Sequence, residues 1–190
     1  MIEEISMKPD ILGVVIKKTT ALFQKPETIT IEFFQYLLNP IKENLYNFIF
    51  KALNFCEDAN DVYQETILRA FKYRQSYDQQ YSFKTWLFTI AHHEVNRYFN
   101  KHKKLPGKVS LEEPADIIDD PGSDNRILVR DIYEVAQQLT PNQRRVFFLF
   151  YDQQFSIQEI SEITGLKPGN IKFILNQSRE KIKQKLGLKE

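Results

Sequence analysis

The stretch QFSIQEISEITGLKPGNIKFIL, residues 154–175, decides how this chain folds. Ile160, Leu166, Ile171 and Ile174 fall at the apolar positions of a helix-turn-helix. Gly165 sits where its turn needs a permissive backbone, and Ser161, four residues earlier, is small enough to let two helices approach. Ser156-Ile157-Gln158-Glu159 is a capping box that opens the first helix. Pro168 favours initiation of the second, although Lys167 stands where a small N-cap is usual. From residue 167 to 190 there are seven Lys and Arg against two Glu, a net of +5 that suits phosphate contact. At about 100° per residue, Ile171, Ile174, Leu175, Ser178 and Ile182 gather on one face of this helix, which must be the packed one. Lys172, Phe173, Asn176, Gln177 and Arg179 are left on the open sides. Asn and Gln can pair with adenine, Lys can reach guanine, and a ring can cover a thymine methyl.

Working towards the N-terminus, Thr140-Pro141-Asn142-Gln143 supplies a second N-cap, a proline at the first helical position and a capping-box partner. Leu128, Ile132, Val135 and Leu139 recur at helical spacing before it, so residues 127–187 read as one small helical domain. Residues 106–126 break the pattern with Pro106, Gly107, Pro114, Pro121 and Gly122. Val109 to Asn125 carries six acids and no Lys or Arg, an acidic flexible linker that is either solvated disorder or a strand mimicking nucleic-acid charge in a basic channel. Residues 29–105 return to helical periodicity, with stripes such as Leu45, Phe48, Ile49, Ala52 and Leu53, and Phe83, Trp86, Leu87, Ile90 and Ala91. Four helices are expected there. Nothing alternates with period two for long, so the fold class is all-α: two small helical domains and a linker, behind an unassigned N-terminal extension, residues 1–28.

A second basic block closes the first domain, with Arg97, Lys101, Lys103, Lys104 and Lys108 and no acid from residue 97 to 108. Tyr98, Phe99 and His102 are interleaved with it, a mixture that suits single-stranded or distorted nucleic acid, or simply a helix end that finishes a core. Asp61, Glu65 and Arg69 lie on one helical face beside Leu68, either a charge ladder or a mixed docking stripe. Cys56 is the single cysteine, which excludes an internal disulfide framework and fits a reducing, cytoplasmic setting. The apolar run from Ile11 to Ile16 is too short to span a bilayer, so no membrane segment is expected. His92, His93 and His102 cluster without cysteines or matched carboxylates, and no metal site is expected. No phosphate loop, serine elbow or shielded acid pair gives catalysis a foothold, so neither an enzyme nor a cofactor is expected.

The order of these parts resembles the extracytoplasmic-function sigma factors, a group within the bacterial sigma-70 family. Glu57 to Phe71 looks like that group's polymerase-docking helix, with Asp61, Gln64, Glu65 and Arg69 at its polar positions. Phe83 to Ala91 resembles the helix leading into promoter melting, and Leu139 to Phe147 the opening of the second DNA-binding domain. The resemblance implies docking on core RNA polymerase through Asp61, Gln64, Glu65, Leu68 and Arg69. It implies contact with the downstream promoter element through His93, Arg97, Lys101, Lys103 and Lys104, where His93 replaces a common asparagine. The upstream element would be read by Lys172, Phe173, Asn176, Gln177 and Arg179, although Ile174 and Gln177 replace arginines common in the group. Core polymerase, promoter DNA and an anti-sigma factor are the implied partners. Two other readings fit parts of the pattern: a stand-alone helix-turn-helix regulator, which the Glu57 to Phe71 helix argues against, and a sigma-mimicking polymerase inhibitor, which the two basic blocks argue against.

Overall fold

The computed structural model describes residues 28–102 and 132–187, so the expectations for the N-terminal extension, Lys103, Lys104 and the acidic linker lie outside the described residues. In the first stretch, Thr30 caps α1 (Ile31–Leu38), its hydroxyl accepting from the Phe33 N–H at 3.2 Å. There follow α2 (Lys42–Ala52), α3 (Ala59–Lys72), a single 3-10 turn at Arg74–Ser76, and α4 (Phe83–His102). The four expected helices are all present. Between α2 and α3 the chain reverses through Asn54 and Phe55, both in the left-handed region at φ 64° and 62°. That reversal returns the Phe55 ring to the edge of Phe50, 5.3 Å away. The start of the stretch is tied down by Gln75, whose side chain accepts from the Ile29 N–H at 2.8 Å and donates to the Ile29 carbonyl at 2.9 Å.

In the second stretch, helical residues 132–137 lead into α5 (Pro141–Tyr151), α6 (Ile157–Thr164) and α7 (Pro168–Leu186). Both capping boxes form as the sequence requires: Thr140 with Gln143 and Ser156 with Glu159 each satisfy two backbone donors reciprocally. Gly165 ends α6 at φ 72° and its N–H donates to the Ser161 carbonyl at 2.8 Å. Ser161 does more than stay small, because its hydroxyl donates to the Leu166 carbonyl at 2.7 Å and fixes the turn from the inside. Arg144 is buried and donates to the carbonyls of Gln137 at 2.7 Å and Leu139 at 3.0 Å. It thereby joins residues 132–137 to α5.

The described residues contain helices and no strand, in two helical domains. The domains are in direct contact, α2 lying against α5 and α4 against α6. Buried apolar side chains from Ile29 to Ile182 form one continuous cluster that runs through this junction.

The helix-turn-helix turn can be tested through two glycines. Nothing lies within 4 Å of a Cβ built on Gly165 or on Gly169, so only backbone conformation separates them. Gly165→Ala is expected to destabilise the protein by about 1 kcal/mol because it forces an L side chain to positive φ. Gly169→Ala, within α7, should be neutral or stabilising by up to about 1 kcal/mol. Urea denaturation of both variants measures the contrast.

Candidate functional site

Three surfaces carry the residues singled out in the sequence. On α3, Asp61, Gln64 and Leu68 are exposed, with 64% of Leu68 open to solvent. The opposite side of the helix buries Val62, Thr66 and Ala70. Glu65 and Arg69 are less free: Arg69 Nε donates to Glu65 at 2.8 Å and lies 2.9 Å from a Glu94 oxygen on α4. The stripe is therefore both a charge ladder and an exposed mixed surface, divided residue by residue.

On α4, His93, Arg97 and Lys101 point to solvent. Arg97 donates to Glu94 at 3.3 Å, so Glu94 is shared between two guanidinium groups. Burial pushes the Glu94 carboxyl up, and the nearby Arg69 charge opposes that rise. A cleft of about 710 Å³ is walled by Asp58, Asp61 and Glu65 from the start of α3 and by Glu94, Arg97 and Lys101 from α4. The rings interleaved with the basic block are half-buried. The Tyr98 hydroxyl donates to Asp58 at 2.7 Å, and the Tyr98 and His102 rings lie 4.0 Å apart. These contacts finish the core and also brace the end of α4.

On α7, Ile171, Leu175, Ser178 and Ile182 are buried and Ile174 is half-buried, which is the packed face expected from the spacing. Lys172, Phe173, Asn176, Gln177 and Arg179 are exposed, with 61% of the Phe173 side open. Two of the polar tips have partners within the protein. Gln177 accepts from the Gln143 amide at 3.1 Å, and Arg179 donates to Asn176.

Two family profiles match this arrangement in order: Sigma-70 region 2 over residues 37–105 and Sigma-70 region 4 over residues 130–182. The chain belongs to the extracytoplasmic-function sigma factors. Among its relatives is the ECF RNA polymerase sigma factor SigX of Bacillus subtilis, 28% identical over 74% of this chain and 77% of that protein. SigM of the same organism is 26% identical over 80% of this chain and 91% of that protein. The fold is shared with the sigma factor RpoE of Bartonella quintana, solved in complex with the anti-sigma factor NepR, at a TM-score of 0.70 and 21% identity. That match covers 84% of this chain and 100% of the other. CnrH, solved with the cytosolic domain of CnrY, matches at a TM-score of 0.62 and 17% identity, over 85% of this chain and 92% of that one. The chain is thus an alternative sigma factor, a regulatory protein of transcription initiation.

Sequence reasoning missed three groups in this sigma factor: Glu94, the buried pair His92 and Arg145, and the cluster of Lys51, Tyr133 and Asp152. The signal for His92 was available. Phe83, Leu87, Phe88, Ala91 and Val95 are all buried, and they surround α4 more widely than one stripe, which marks a helix covered on two sides. Among the described residues no group of His, Cys, Asp and Glu could hold a metal ion, and no helix is long and apolar enough to cross a membrane.

The burial of His92 is expected to make the stability of the protein pH-dependent. One ring nitrogen lies 2.8 Å from the Asn96 amide, and Nδ1 is buried without a partner. Burial first, then the Arg145 and His93 charges, lowers its pKa from 6.5 to about 3. The folded value is depressed, so this contribution to stability is fully present above pH 6.5 and is lost as pH falls from there towards 3. The chain should be about 2 kcal/mol less stable at pH 5 than at pH 7.5 from this group alone. His92→Gln should remove that part of the difference, measured as denaturation midpoints at the two pH values.

Proposed function

We propose that this sigma factor divides its work among the three surfaces, docking on core RNA polymerase through α3, holding the opened downstream promoter element on α4, and reading the upstream element with α7. The docking stripe is Asp61, Gln64, Glu65, Leu68 and Arg69, with Leu68 as its apolar centre. His93, Arg97, Lys101, Lys103 and Lys104 contact the downstream strand, positioning it mainly through phosphates. Lys172, Phe173, Asn176, Gln177 and Arg179 face the major groove. The observation that carries this reading is the division of α7, where an exposed ring stands beside two amides and two cations on a helix whose other face is buried. The polymerase supplies catalysis, so the chain needs no active site or cofactor of its own. It works in the cytoplasm, where an anti-sigma factor is its expected inhibitor.

The deciding experiment adds the purified chain to sigma-free core polymerase and looks for promoter-dependent transcripts. A stand-alone regulator or a sigma-mimicking inhibitor would produce none. For docking, Asp61 and Leu68 are cleaner targets than Glu65, which is held in ion pairs with Arg69 and Arg97. Asp61→Lys with Leu68→Glu should weaken binding to core polymerase by about tenfold or more with an unchanged helical circular-dichroism spectrum. Equal co-purification of variant and parent would count against the stripe. For base reading, Asn176→Ala and Gln177→Ala should each relax preference at a distinct upstream position, at about 1–3 kcal/mol for each good pair lost. Arg179→Ala should lower affinity for all sequences alike. Promoter selection by holoenzyme measures both effects, and an unaltered preferred sequence in the two amide variants would reject this face.

A further inference from the structure

Gln143 is the third residue of α5, where the capping box accounts for it. Its half-buried side chain nevertheless has a second engagement. The amide oxygen accepts from the Thr140 N–H at 3.2 Å, which closes the box, and from the Lys181 ammonium of α7 at 3.3 Å. The amide nitrogen donates to Gln177 Oε1 at 3.1 Å, 34 residues along the chain and on the exposed side of α7. A cap that belongs to one helix therefore reaches a side chain singled out for reading bases on another.

Chemistry at each end fixes the polarity of that link. A backbone N–H and an ammonium only donate, so the end of Gln143 that faces Thr140 and Lys181 must be its oxygen. The end facing Gln177 is then the NH2 group, which accepts nothing. Gln177 answers with its oxygen, and its own NH2 group is left for the open side. A glutamine surrounded by water turns either end outward, but this one does so only by breaking the link. Asn176 has the same polarity, its oxygen accepting from Arg179. Arg179, however, lets go of Asn176 if it moves to a phosphate, whereas Gln143 stays tied to the helix cap.

In a major groove the two ends of an amide read different bases. Adenine takes both, the oxygen accepting from N6 and the nitrogen donating to N7, and cytosine, with its N4 donor, also needs the oxygen. Guanine presents O6 and N7 and thymine presents O4, all acceptors, which an outward NH2 group satisfies without disturbing Gln143. The geometry points to Gln143 as a positioning residue that holds the Gln177 NH2 group outward, so that the sigma factor selects guanine or thymine, and not adenine or cytosine, at the base Gln177 meets. This base choice rests on the reading under Proposed function, in which α7 faces the major groove, and adds to it which bases one of its side chains accepts.

Gln143→Glu tests this by reversing the polarity with almost no change of shape. Glutamate is a standard capping-box partner and places a negative charge in the first turn of α5, so the helix is retained. A carboxylate only accepts, so Gln177 must turn its NH2 group inward and its oxygen outward. Promoter selection by holoenzyme should then show the position that Gln177→Ala relaxes moving from guanine or thymine to adenine or cytosine, with relative preference shifted by about tenfold. The added charge weakens binding to all sequences alike and leaves relative preference unmoved. In a Gln177→Ala background, Gln143→Glu should produce no shift at that position. Side-chain amide NMR of the free chain needs no DNA. One Gln143 NH2 proton should be downfield and slow to exchange in the parent, and Gln143→Glu should pass that signature to Gln177. A parent preference for adenine or cytosine at this position, the same preference in Gln143→Glu as in the parent, or the NMR signature on Gln177 in the parent would each overturn the positioning role while leaving the reading by α7 in place. If instead the NMR signatures are as expected and Gln177→Ala relaxes no position, the reading by Gln177 fails and the base choice falls with it.

Discussion

Phe88 is fully buried where the two domains meet, with the Phe48 ring of α2 at 5.3 Å and the Phe155 ring at 5.0 Å. One ring is therefore core to both domains. Burying a phenylalanine is worth about 1.5–3 kcal/mol in transfer alone, and truncating one in a packed interior costs about 3–5 kcal/mol. Here that energy is divided between holding the first domain together and holding the second against it. The constraint originates in α4, which has apolar residues on too many sides for a single partner and so needs α2 and α3 behind it and α6 in front.

Where helices meet, charge is handled by pairing. Glu94 is held between Arg69 and Arg97, and Lys51 between Asp152 and Tyr133. Arg144 and Arg145 differ instructively, although burial lowers both to about 10 and leaves both charged at neutral pH. Arg144 spends its guanidinium on three carbonyls, those of Ala136, Gln137 and Leu139, so its burial is a structural joint within one domain. Arg145 faces the other domain, lies over an aromatic ring and keeps its Nε unsatisfied. Removing the first would leave backbone acceptors orphaned, whereas removing the second would relieve an orphan as well as lose a contact.

Much of this was legible in the sequence because it is local. The capping boxes at Thr140 and Ser156, the left-handed Gly165 and the buried face of α7 depend on residues within a few positions of one another, and the structure has each of them. The family resemblance carried the same local signals to function. Illegible were the relations between segments far apart in the chain. Lys51 and Asp152 are separated by 101 residues and Lys84 and Gln153 by 69, and nothing in either neighbourhood names the other. Glu94 was passed over for a related reason: one acid next to a basic block reads as a surface charge until the helix carrying Arg69 is laid beside it. The exposed residues Leu68 and Phe173 could be identified from helical spacing, but how far Glu65, Asn176 and Gln177 are already engaged inside the protein could not.

Those engaged amides have a consequence for the proposed reading of DNA by α7. Gln177 is held by Gln143 on α5, and Asn176 by Arg179 one turn along. A side chain already restricted to one rotamer surrenders less freedom on docking than one that sways in solvent. A base contact that uses the amide oxygen would also exchange one hydrogen bond for another, which trims the gain for a correct base. A mismatched base, by contrast, would break the internal bond and return nothing. Discrimination would then come from refusing the wrong sequence more than from gripping the right one.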